Sequence, residues 1–259
     1  MSTLDLKNQK EEKYCYRYPH PAVTADCVIF GVRGSELHVL LIERGIEPFK
    51  GSWALPGGFM KINETIEQAA RRELREETGL KDVYMEQFKV YSSINRDPRE
   101  RVLTVSFIAV IKPTEYRLAA GDDATNAAWF DYKKLPPLAF DHLKIVRDAR
   151  EALKQLIRLE PFAFRLLNPT FSMGELQKVY EILNETTYDR RNFQRSVFET
   201  DIIEEVSPEV AQSEERLETF TRGRSGSKRY TLNTAKAKKE ASEEKKDSST
   251  KGLFHFLKF

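Results

Sequence analysis

The sequence is poor in the residue types that stabilise small secreted proteins or bind zinc. Its 259 residues include only two cysteines, Cys15 and Cys27, and four histidines, too few for a disulfide framework or a Cys/His zinc site. No stretch approaches the roughly 18 consecutive apolar residues that a transmembrane helix needs, and the polar N-terminus lacks the apolar run of a signal peptide. We therefore expect a soluble, cytoplasmic protein with no membrane partner.

Neither sign of charge dominates the composition. The chain carries 42 Lys and Arg against 40 Asp and Glu, a formal net charge of +2, so composition alone indicates no partner and any basic surface must be local. Hydrophobic residues make up 40% of the chain, which is enough for a substantial core. At about 100–200 residues per domain, the length suits two domains.

Four segments can be distinguished along the chain. They are a polar leader (1–20), a first domain (21–158), a second domain (159–232) and a charged tail (233–259). The tail is rich in Lys, Glu, Ser and Ala, a composition that predicts disorder.

The first domain alternates strand and helix patterns. Apolar runs rich in β-branched residues predict a hairpin of residues 23–30 and 37–42, with its turn at 31–34. Apolar residues at helical spacing predict helices over 65–78 and 142–157. Further strands are predicted at 83–91, 102–111 and 127–130. This order predicts an α/β (α+β) fold, an α/β/α sandwich around a mixed sheet.

The second domain has the element order of a winged helix-turn-helix. Ser172 and Glu175 fit a capping box at the start of one helix, and a polar turn at 184–187 leads to a second helix. Apolar residues at 202–203 and 230–232 flank a hydrophilic excursion with a basic, glycine-rich tip. Helix, turn, helix and β-ribbon together predict a DNA-binding domain.

An early helix of the first domain concentrates negative charge on one face. Glu73, Glu76 and Glu77 occupy positions i, i+3 and i+4, so their carboxylates crowd together. A hard divalent cation would neutralise them, and Mg²⁺ combines carboxylates with substrate phosphates in this way. Gly57 and Gly58 let the backbone approach such an ion, so a carbonyl can be a further ligand. The alternative is a solvated helix face paired with arginines.

The string from residue 58 to residue 80 resembles the Nudix box. That box is Gly, five residues, Glu, seven residues, Arg-Glu, an apolar residue, any residue, Glu-Glu, any residue, Gly and an apolar residue. Every fixed position is filled, by Gly58, Glu64, Arg72, Glu73, Leu74, Glu76, Glu77, Gly79 and Leu80. The resemblance to Nudix hydrolases implies hydrolysis of a nucleoside diphosphate linked to another group, with Mg²⁺, or Mn²⁺ in its place, as cofactor.

The resemblance also implies roles for individual residues. Glu73, Glu76 and Glu77 would act in catalysis and, with the carbonyl of Gly57, bind the metal. The supporting residues that hold the loop and the helix would be Gly58, Glu64, Arg72 and Gly79. The catalytic base is left open between Glu76 and acids on later loops, namely Glu100, Glu115, Asp122 and Asp123. His142 is interpreted as a structural hydrogen-bonding residue.

A Nudix domain followed by a winged helix is similar to a bacterial family of Nudix-related transcriptional regulators. The similarity covers about residues 20–232, and effectors in that family include ADP-ribose and, in some members, arabinose. The segments that support it are 96–102, 140–142, 189–193 and 223–230. This resemblance implies an ADP-ribose-like small-molecule ligand and duplex DNA as partners.

Three arginines precede the strand at 102–111 and could face a phosphorylated ligand. They are Arg96, Arg99 and Arg101. The alternative is that all three belong to a polar hairpin loop.

Two groups of residues suit contacts with DNA phosphates and base edges. They are Arg190, Arg191, Asn192, Gln194 and Arg195 on the second helix, and Arg222, Arg224, Lys228 and Arg229 on the wing. Residues 160–232 nevertheless hold ten Lys and Arg against thirteen Asp and Glu, so DNA binding requires the basic face to be separated from the acids. A homodimer would double the contacts. The alternative is an ordinary charged helix and turn.

Two functions remain open from the sequence. The first is an active Nudix hydrolase that cleaves ADP-ribose or a related compound and also binds DNA. The second is a transcriptional regulator whose Nudix domain senses such a ligand without turnover. The complete set of box glutamates favours the hydrolase, because a sensing domain has no physical need to keep three carboxylates crowded together.

Overall fold

The structure, a computed structural model, describes residues 17–115, 118, 124–159, 161–207 and 228–237. Most of the predicted leader and tail therefore lies outside the described residues, as do the candidates Asp122, Asp123, Arg222 and Arg224. Within the described ranges, none of the helices combines the length and apolar character needed to cross a bilayer.

A mixed seven-stranded sheet forms the centre of the first domain. Its strands are β1 (Ala22–Arg33), β2 (Glu36–Arg44), β3 (Trp53–Ala54), β4 (Gly57–Phe59), β5 (Glu86–Tyr91), β6 (Val102–Ile111) and β7 (Ala124–Asp131). The order is β3-β2-β1-β6-β5, with β4 paired to β1 and β7 to β2. β1 and β6 run parallel, whereas the other pairs are antiparallel. The very short β3 and β4 were not predicted from the sequence.

The predicted hairpin of β1 and β2 is confirmed, but its turn is displaced. β1 continues through Gly31 to Arg33, which pairs with Glu36, and the turn begins only at Gly34, with φ +65°. The predicted turn at 31–34 was therefore wrong. Gly31 serves packing within the strand, because a Cβ there would lie 2.6 Å from the ring of Pro113.

Two helices cover opposite faces of this sheet. They are α1 (Ile66–Thr78) and α2 (His142–Leu159). Alternate residues of a strand point to opposite faces, and in β1 one set packs with α1 while Val28 and Phe30 join the cluster that contains α2. The predicted α/β/α sandwich is thereby confirmed. α1 has Thr65 as its N-cap and ends at Gly79, which adopts a left-handed conformation with φ +76°.

In the described part of the second domain, two α-helices pack with a small antiparallel sheet. Its elements are β8 (Thr170–Ser172), α3 (Met173–Asn184), α4 (Arg190–Glu199), β9 (Ile203–Glu205) and β10 (Arg229–Leu232). The predicted capping box is confirmed, since Ser172 and Glu175 exchange hydrogen bonds between side chain and backbone. β10 lies between β8 and β9, so the wing has a third strand that was not predicted.

Both domains contribute to one hydrophobic cluster. Leu153 and Ile157 of α2 belong to the same cluster as Phe162, which follows α2, and as Leu176 and Tyr180 of α3. Helix α2 therefore joins the sheet of the first domain to the helices of the second.

Candidate functional site

Strand β4 places two glycines against the acidic helix α1. The backbone N–H of Gly57 donates to Oε2 of Glu77 at 2.8 Å. A Cβ at Gly57 would lie 2.1 Å from the carbonyl oxygen of Ala25, and one at Gly58 would lie 2.5 Å from Oε1 of Glu73. Gly57 cannot carry a side chain without displacing the backbone of β1, and one at Gly58 would displace the carboxylate of Glu73, so the backbone of β4 lies in contact with the carboxylates.

Arg72 connects the loop before α1 to the acidic face of the helix. It donates to both carboxylate oxygens of Glu64, at 3.0 and 2.7 Å, and to the carbonyl of Phe59 at 3.0 Å. It also donates to Glu73 at 2.6 Å and to Glu76 at 3.1 Å. The hydrogen bonds from this guanidinium lower the pKa of Glu64 to about 2, so Glu64 stays ionised and holds the arginine in place.

The box glutamates differ in their exposure to water. Burial, together with the negative charge of Glu73, raises the pKa of Glu77 to about 8 despite the hydrogen bond from Gly57. Burial also raises the pKa of Glu73. The side chain of Glu76 is 49% exposed. Buried carboxylates of this kind favour the uptake of a proton or of a cation.

These glutamates line a cavity of about 430 Å³. Its walls also include the basic side chains Arg44, Arg72, Arg96 and Arg99 and the aromatic rings of Phe59 and Phe140. Acidic and basic side chains thus share one concave site. Glu100 and Glu115, two of the candidate bases, do not line it.

The three arginines that were predicted to face a ligand have different surroundings. Arg96 lines the cavity, but its side chain is only 3% exposed and donates to Asp26 at 3.3 Å and to Asp141 at 2.8 and 3.2 Å. It therefore braces β1 against the start of α2. Arg101 is not part of the cavity wall and donates instead to the carbonyl of Ser93 at 3.1 Å.

Arg99 does reach the cavity and is held there by an acid and two rings. It forms a bidentate pair with Asp97, at 3.0 and 2.7 Å. Its guanidinium lies 4.7 Å from the ring centroid of Phe59 and 5.7 Å from that of Phe140, within cation–π range.

Arg44 is a cavity residue that the sequence did not reveal. It lies at the end of β2, 4.9 Å from the ring centroid of Phe140, and donates to the carbonyl of Pro48 at 2.8 Å. Burial and the nearby Arg99 lower its pKa. Two guanidinium groups therefore flank one aromatic ring, an arrangement that suits an anionic ligand. The only trace of it in the sequence is a basic residue two positions after the apolar run that ends at Ile42.

His142 and Asp26 complete the buried part of the cavity wall. Nδ1 of His142 accepts a hydrogen bond from the N–H of Leu55 at 2.9 Å, and Nε2 lies 3.8 Å from Asp26. Burial lowers the pKa of His142, so the ring is neutral near pH 7. These contacts agree with the interpretation of His142 as a structural residue, whereas Asp26 was not singled out.

The carboxylates do not form a ready-made metal cage. Over the ranges that the structure describes, no three His, Cys, Asp or Glu side chains converge closely enough to hold an ion by themselves. An ion at this site must therefore take part of its coordination from backbone, water or ligand oxygens.

The predicted DNA-binding residues of α4 lie on its outer surface. Phe193 and Val197 are buried on the opposite side of the helix. The exposed set is Arg190, Arg191, Asn192 and Arg195, with Gln194 partly buried. Asp189 caps the helix through the N–H of Asn192, which fixes where this basic turn begins.

The described wing residues make contacts within the second domain. Lys228 donates to Glu205 at 2.8 Å and is exposed. Arg229 is only 14% exposed and donates to Glu175 and to the carbonyl of Thr170, each at 3.1 Å. Arg229 thus joins the wing to the start of α3 instead of facing outwards.

Fold and site together define a Nudix-type domain followed by a winged helix, and comparison with known proteins agrees. The NUDIX domain family matches residues 20–149, and the NrtR DNA-binding winged helix domain matches residues 163–217. The chain therefore belongs to the Nudix family and carries a C-terminal winged helix domain of the NrtR type.

Two curated relatives represent the two halves of this architecture. The ADP-ribose pyrophosphatase of Methanocaldococcus jannaschii is 46% identical over 143 residues, which cover 55% of this chain and 80% of the relative. The ADPR responsive transcriptional repressor NtrR of Acinetobacter baylyi is 33% identical over 192 residues, which cover 73% of this chain and 76% of the relative. The crystal structure of Shewanella oneidensis NrtR complexed with a 27mer DNA superposes with a TM-score of 0.67 at 31% identity, covering 83% of this chain and 95% of that one.

Proposed function

We propose that this protein hydrolyses a nucleoside diphosphate-linked compound such as ADP-ribose, by attack of water on phosphorus with Mg²⁺ or Mn²⁺ as cofactor. One observation carries the proposal: the three box glutamates line the same 430 Å³ cavity as Arg44 and Arg99. Carboxylates suit a divalent cation, and guanidinium groups suit phosphate oxygens. A metal-bound diphosphate needs both kinds of partner at once.

The donor set fits a hard divalent cation. Burial raises the pKa of both Glu73 and Glu77, so a cation bound beside them would favour their ionised forms. Glu73, Glu77 and the carbonyl of Gly57 would hold the ion, with Glu76 beside them. Because the carboxylates alone form no cage, substrate phosphate and water oxygens would complete the coordination, as is usual for Mg²⁺. When bound, the metal neutralises phosphate oxygens and lowers the pKa of water.

Side chains of the chain itself supply the remaining roles. Glu76 is half exposed to the cavity and accepts the proton of the attacking water. Arg72 keeps Glu73 and Glu76 in position through its hydrogen bonds. Arg44 and Arg99 orient the diphosphate. Supporting residues such as Gly58, Glu64 and Gly79 maintain the loop and the end of the helix.

Turnover of ADP-ribose tests this proposal directly. With Mg²⁺, we expect AMP and ribose 5-phosphate as products. Glu77→Gln should lower kcat by about a hundredfold or more, because it removes a charged ligand worth several kcal/mol at the transition state. Glu67→Gln, on an exposed position of the same helix, is the matched control and should retain full activity. Absence of turnover across nucleotide sugars, dinucleotides and oxidised nucleotides would contradict the proposal.

We also propose that the winged helix binds duplex DNA, with a homodimer placing α4 of each subunit in a major groove. The exposed basic face of α4 supports this second role, as does the similarity to a repressor over 73% of this chain. If the Nudix domain proves inactive, the same surfaces describe a regulator that senses its ligand without turnover.

A mobility-shift assay with DNA from upstream of the protein's own gene tests the second role. Arg191→Ala should weaken binding by about tenfold and reduce its salt dependence, whereas Arg33→Ala, exposed at the end of β1, should not. ADP-ribose should change the affinity. A DNA affinity that changes neither with salt concentration nor in Arg191→Ala would exclude this mode of recognition.

A further inference from the structure

Helix α2 is attached at its first turn to the candidate active site. Asp141, the residue before the helix, accepts hydrogen bonds from Arg96 at 2.8 and 3.2 Å. The next residue, His142, lines the cavity and accepts the N–H of Leu55. The ring of the preceding residue, Phe140, makes cation–π contacts with Arg44 and Arg99. A ligand held by those arginines therefore acts on the start of α2.

The same helix meets the winged helix domain at Glu185, which caps the C-terminus of α3. Three basic side chains of the first domain and of α2 surround its carboxylate. Arg150 lies 3.5 Å away, Lys133 lies 3.9 Å away and Lys154 lies 4.0 Å away. Arg150 lies eight residues after His142 on α2, about 12 Å along the helix axis, so one continuous helix connects the cavity to this charge cluster.

The guanidinium group of Arg150 is buried without hydrogen bonds in the described part of the chain. Its side chain is 1% exposed, and none of its three guanidinium nitrogens has a hydrogen-bond partner among the described residues. Its guanidinium lies 5.9 Å from the ring centroid of Tyr132, but a buried cation without hydrogen bonds is less favourable than one that forms them. Since the Nη2–Oε2 separation to Glu185 is 3.5 Å, a shift of less than about 1 Å would convert the contact into a hydrogen-bonded pair.

The surroundings leave room for such a shift. A cleft of about 560 Å³ lies between the two domains, lined by residues 35–37 and 131–133 of the first domain and by residues of α3 and its end up to 187. Glu185 is part of that lining and has a left-handed backbone, with φ +52°. The Glu185 side chain therefore borders open space, while Leu183, two residues earlier, lies in the hydrophobic core.

We propose that Arg150 and Glu185 form a two-position joint through which the ligand cavity sets the orientation of the winged helix. In one position the pair touches without a hydrogen bond, as described here, and in the other it closes into a hydrogen-bonded ion pair. A ligand biases the joint only if it binds the two positions with different affinity, and displacement of Phe140 provides that difference. This inference rests on the proposed ligand class.

Hydrogen–deuterium exchange of the full-length protein, with and without α,β-methylene ADP-ribose, tests the joint. This analogue lacks the scissile diphosphate oxygen and is not consumed. We expect slower exchange at residues 57–79 and a change of at least about twofold at residues 181–188. In Arg150→Met the first response should persist and the second should disappear, whereas Arg150→Lys should retain part of it.

Lys133→Met is the matched control, because Lys133 is 72% exposed and contacts the same carboxylate. It should keep both responses. Should Arg150→Met fail to fold, Glu185→Gln at a 39% exposed side chain removes the same pair and should also abolish the second response. Protection at 57–79 without any change at 181–188 would overturn the joint alone. No protection at 57–79 would overturn the proposed ligand and the joint with it.

Discussion

The cavity beside α1 and the outer face of α4 both collect charged side chains, but they hold them differently. In the cavity, Glu77 is buried against the backbone of Gly57, and Arg72 is committed to four hydrogen-bond partners. On α4, Arg190 and Arg191 are exposed, and the buried residues of the helix lie on its opposite face.

This difference separates two kinds of evidence for function. Burying like charges together is unfavourable. Arg72 neutralises part of the cluster through Glu73 and Glu76, and the buried carboxylate of Glu77 suits a further cation. Exposed arginines are solvated at little cost, so their position permits DNA binding without requiring it. The structure therefore constrains the chemistry of the cavity more tightly than the use of α4.

The largest effect should follow from a change that disturbs the cavity alone. In Gly57→Ala the new Cβ would meet the carbonyl oxygen of Ala25 at 2.1 Å, which forces β4 away from β1 and breaks the contact with Glu77. We expect turnover of ADP-ribose to fall by about a hundredfold or more, while DNA binding measured by mobility shift stays unchanged.

Gly34→Ala is the matched control for that substitution. Gly34 also has a positive φ, but nothing lies within 4 Å of its Cβ position. The variant should cost about 1 kcal/mol of backbone strain and keep full activity. Equal activity losses in both variants would mean that the conformational freedom of glycine, and not the close approach of β4 to β1, matters at position 57.

A smaller effect should appear in the pH dependence of stability without divalent metal. The fold raises the pKa of Glu77 to about 8 from an ordinary value of 4.5. The folded protein therefore binds more protons than the unfolded chain between these values, and its stability falls as pH rises from about 5 to about 8. Glu77→Gln removes this pH-dependent loss. In EDTA, the free energy of unfolding of the variant relative to the wild type should therefore increase by a few kcal/mol between pH 5 and pH 8.

Urea denaturation at pH 5, 6.5 and 8 measures this gain. Arg191→Met, which removes a charge from the exposed face, should parallel the wild type at every pH. If Glu77→Gln also follows the wild type throughout, the carboxylate is not buried as an unfavourable charge, and the contrast between the two regions is lost.

The sequence predicted those parts of the site that depend on local spacing. Glu73, Glu76 and Glu77 share a face because they are three and four residues apart on one helix. Arg44 and Asp26 reach the same cavity only because β1, β2 and β4 pair in a particular register, which no short-range pattern encodes. Likewise, spacing could not tell that Arg96 and Arg99, but not Arg101, would line the cavity.

The fold shows the same division between local and long-range information. The long strands and the helices α1 to α4 follow from periodicity and capping residues, and α1 also from its glycine stop. β3, β4 and β8 have only two or three residues each, which is too few to show an alternation of apolar and polar residues. The parallel pairing of β1 with β6 joins segments about 80 residues apart, so it depends on the packing of the whole domain.

The smallest effect should distinguish two arginines that looked alike in the sequence. Arg229 was grouped with Arg191 as a DNA contact, yet it is mostly buried and bonds Glu175 and the carbonyl of Thr170. Arg229→Met should therefore lower stability by about 1 kcal/mol, since a charged hydrogen bond is partly offset by the exposure of Glu175. That loss corresponds to a decrease in Tm of about 2–4 °C.

Arg191→Met, at an exposed position of α4, should leave Tm unchanged in the same thermal scan while weakening DNA binding. The two substitutions remove the same charge and add the same side chain, so any difference in Tm reports the contacts of Arg229 with β8 and α3. A wild-type Tm for Arg229→Met combined with weaker DNA binding would return Arg229 to the set of residues that face DNA.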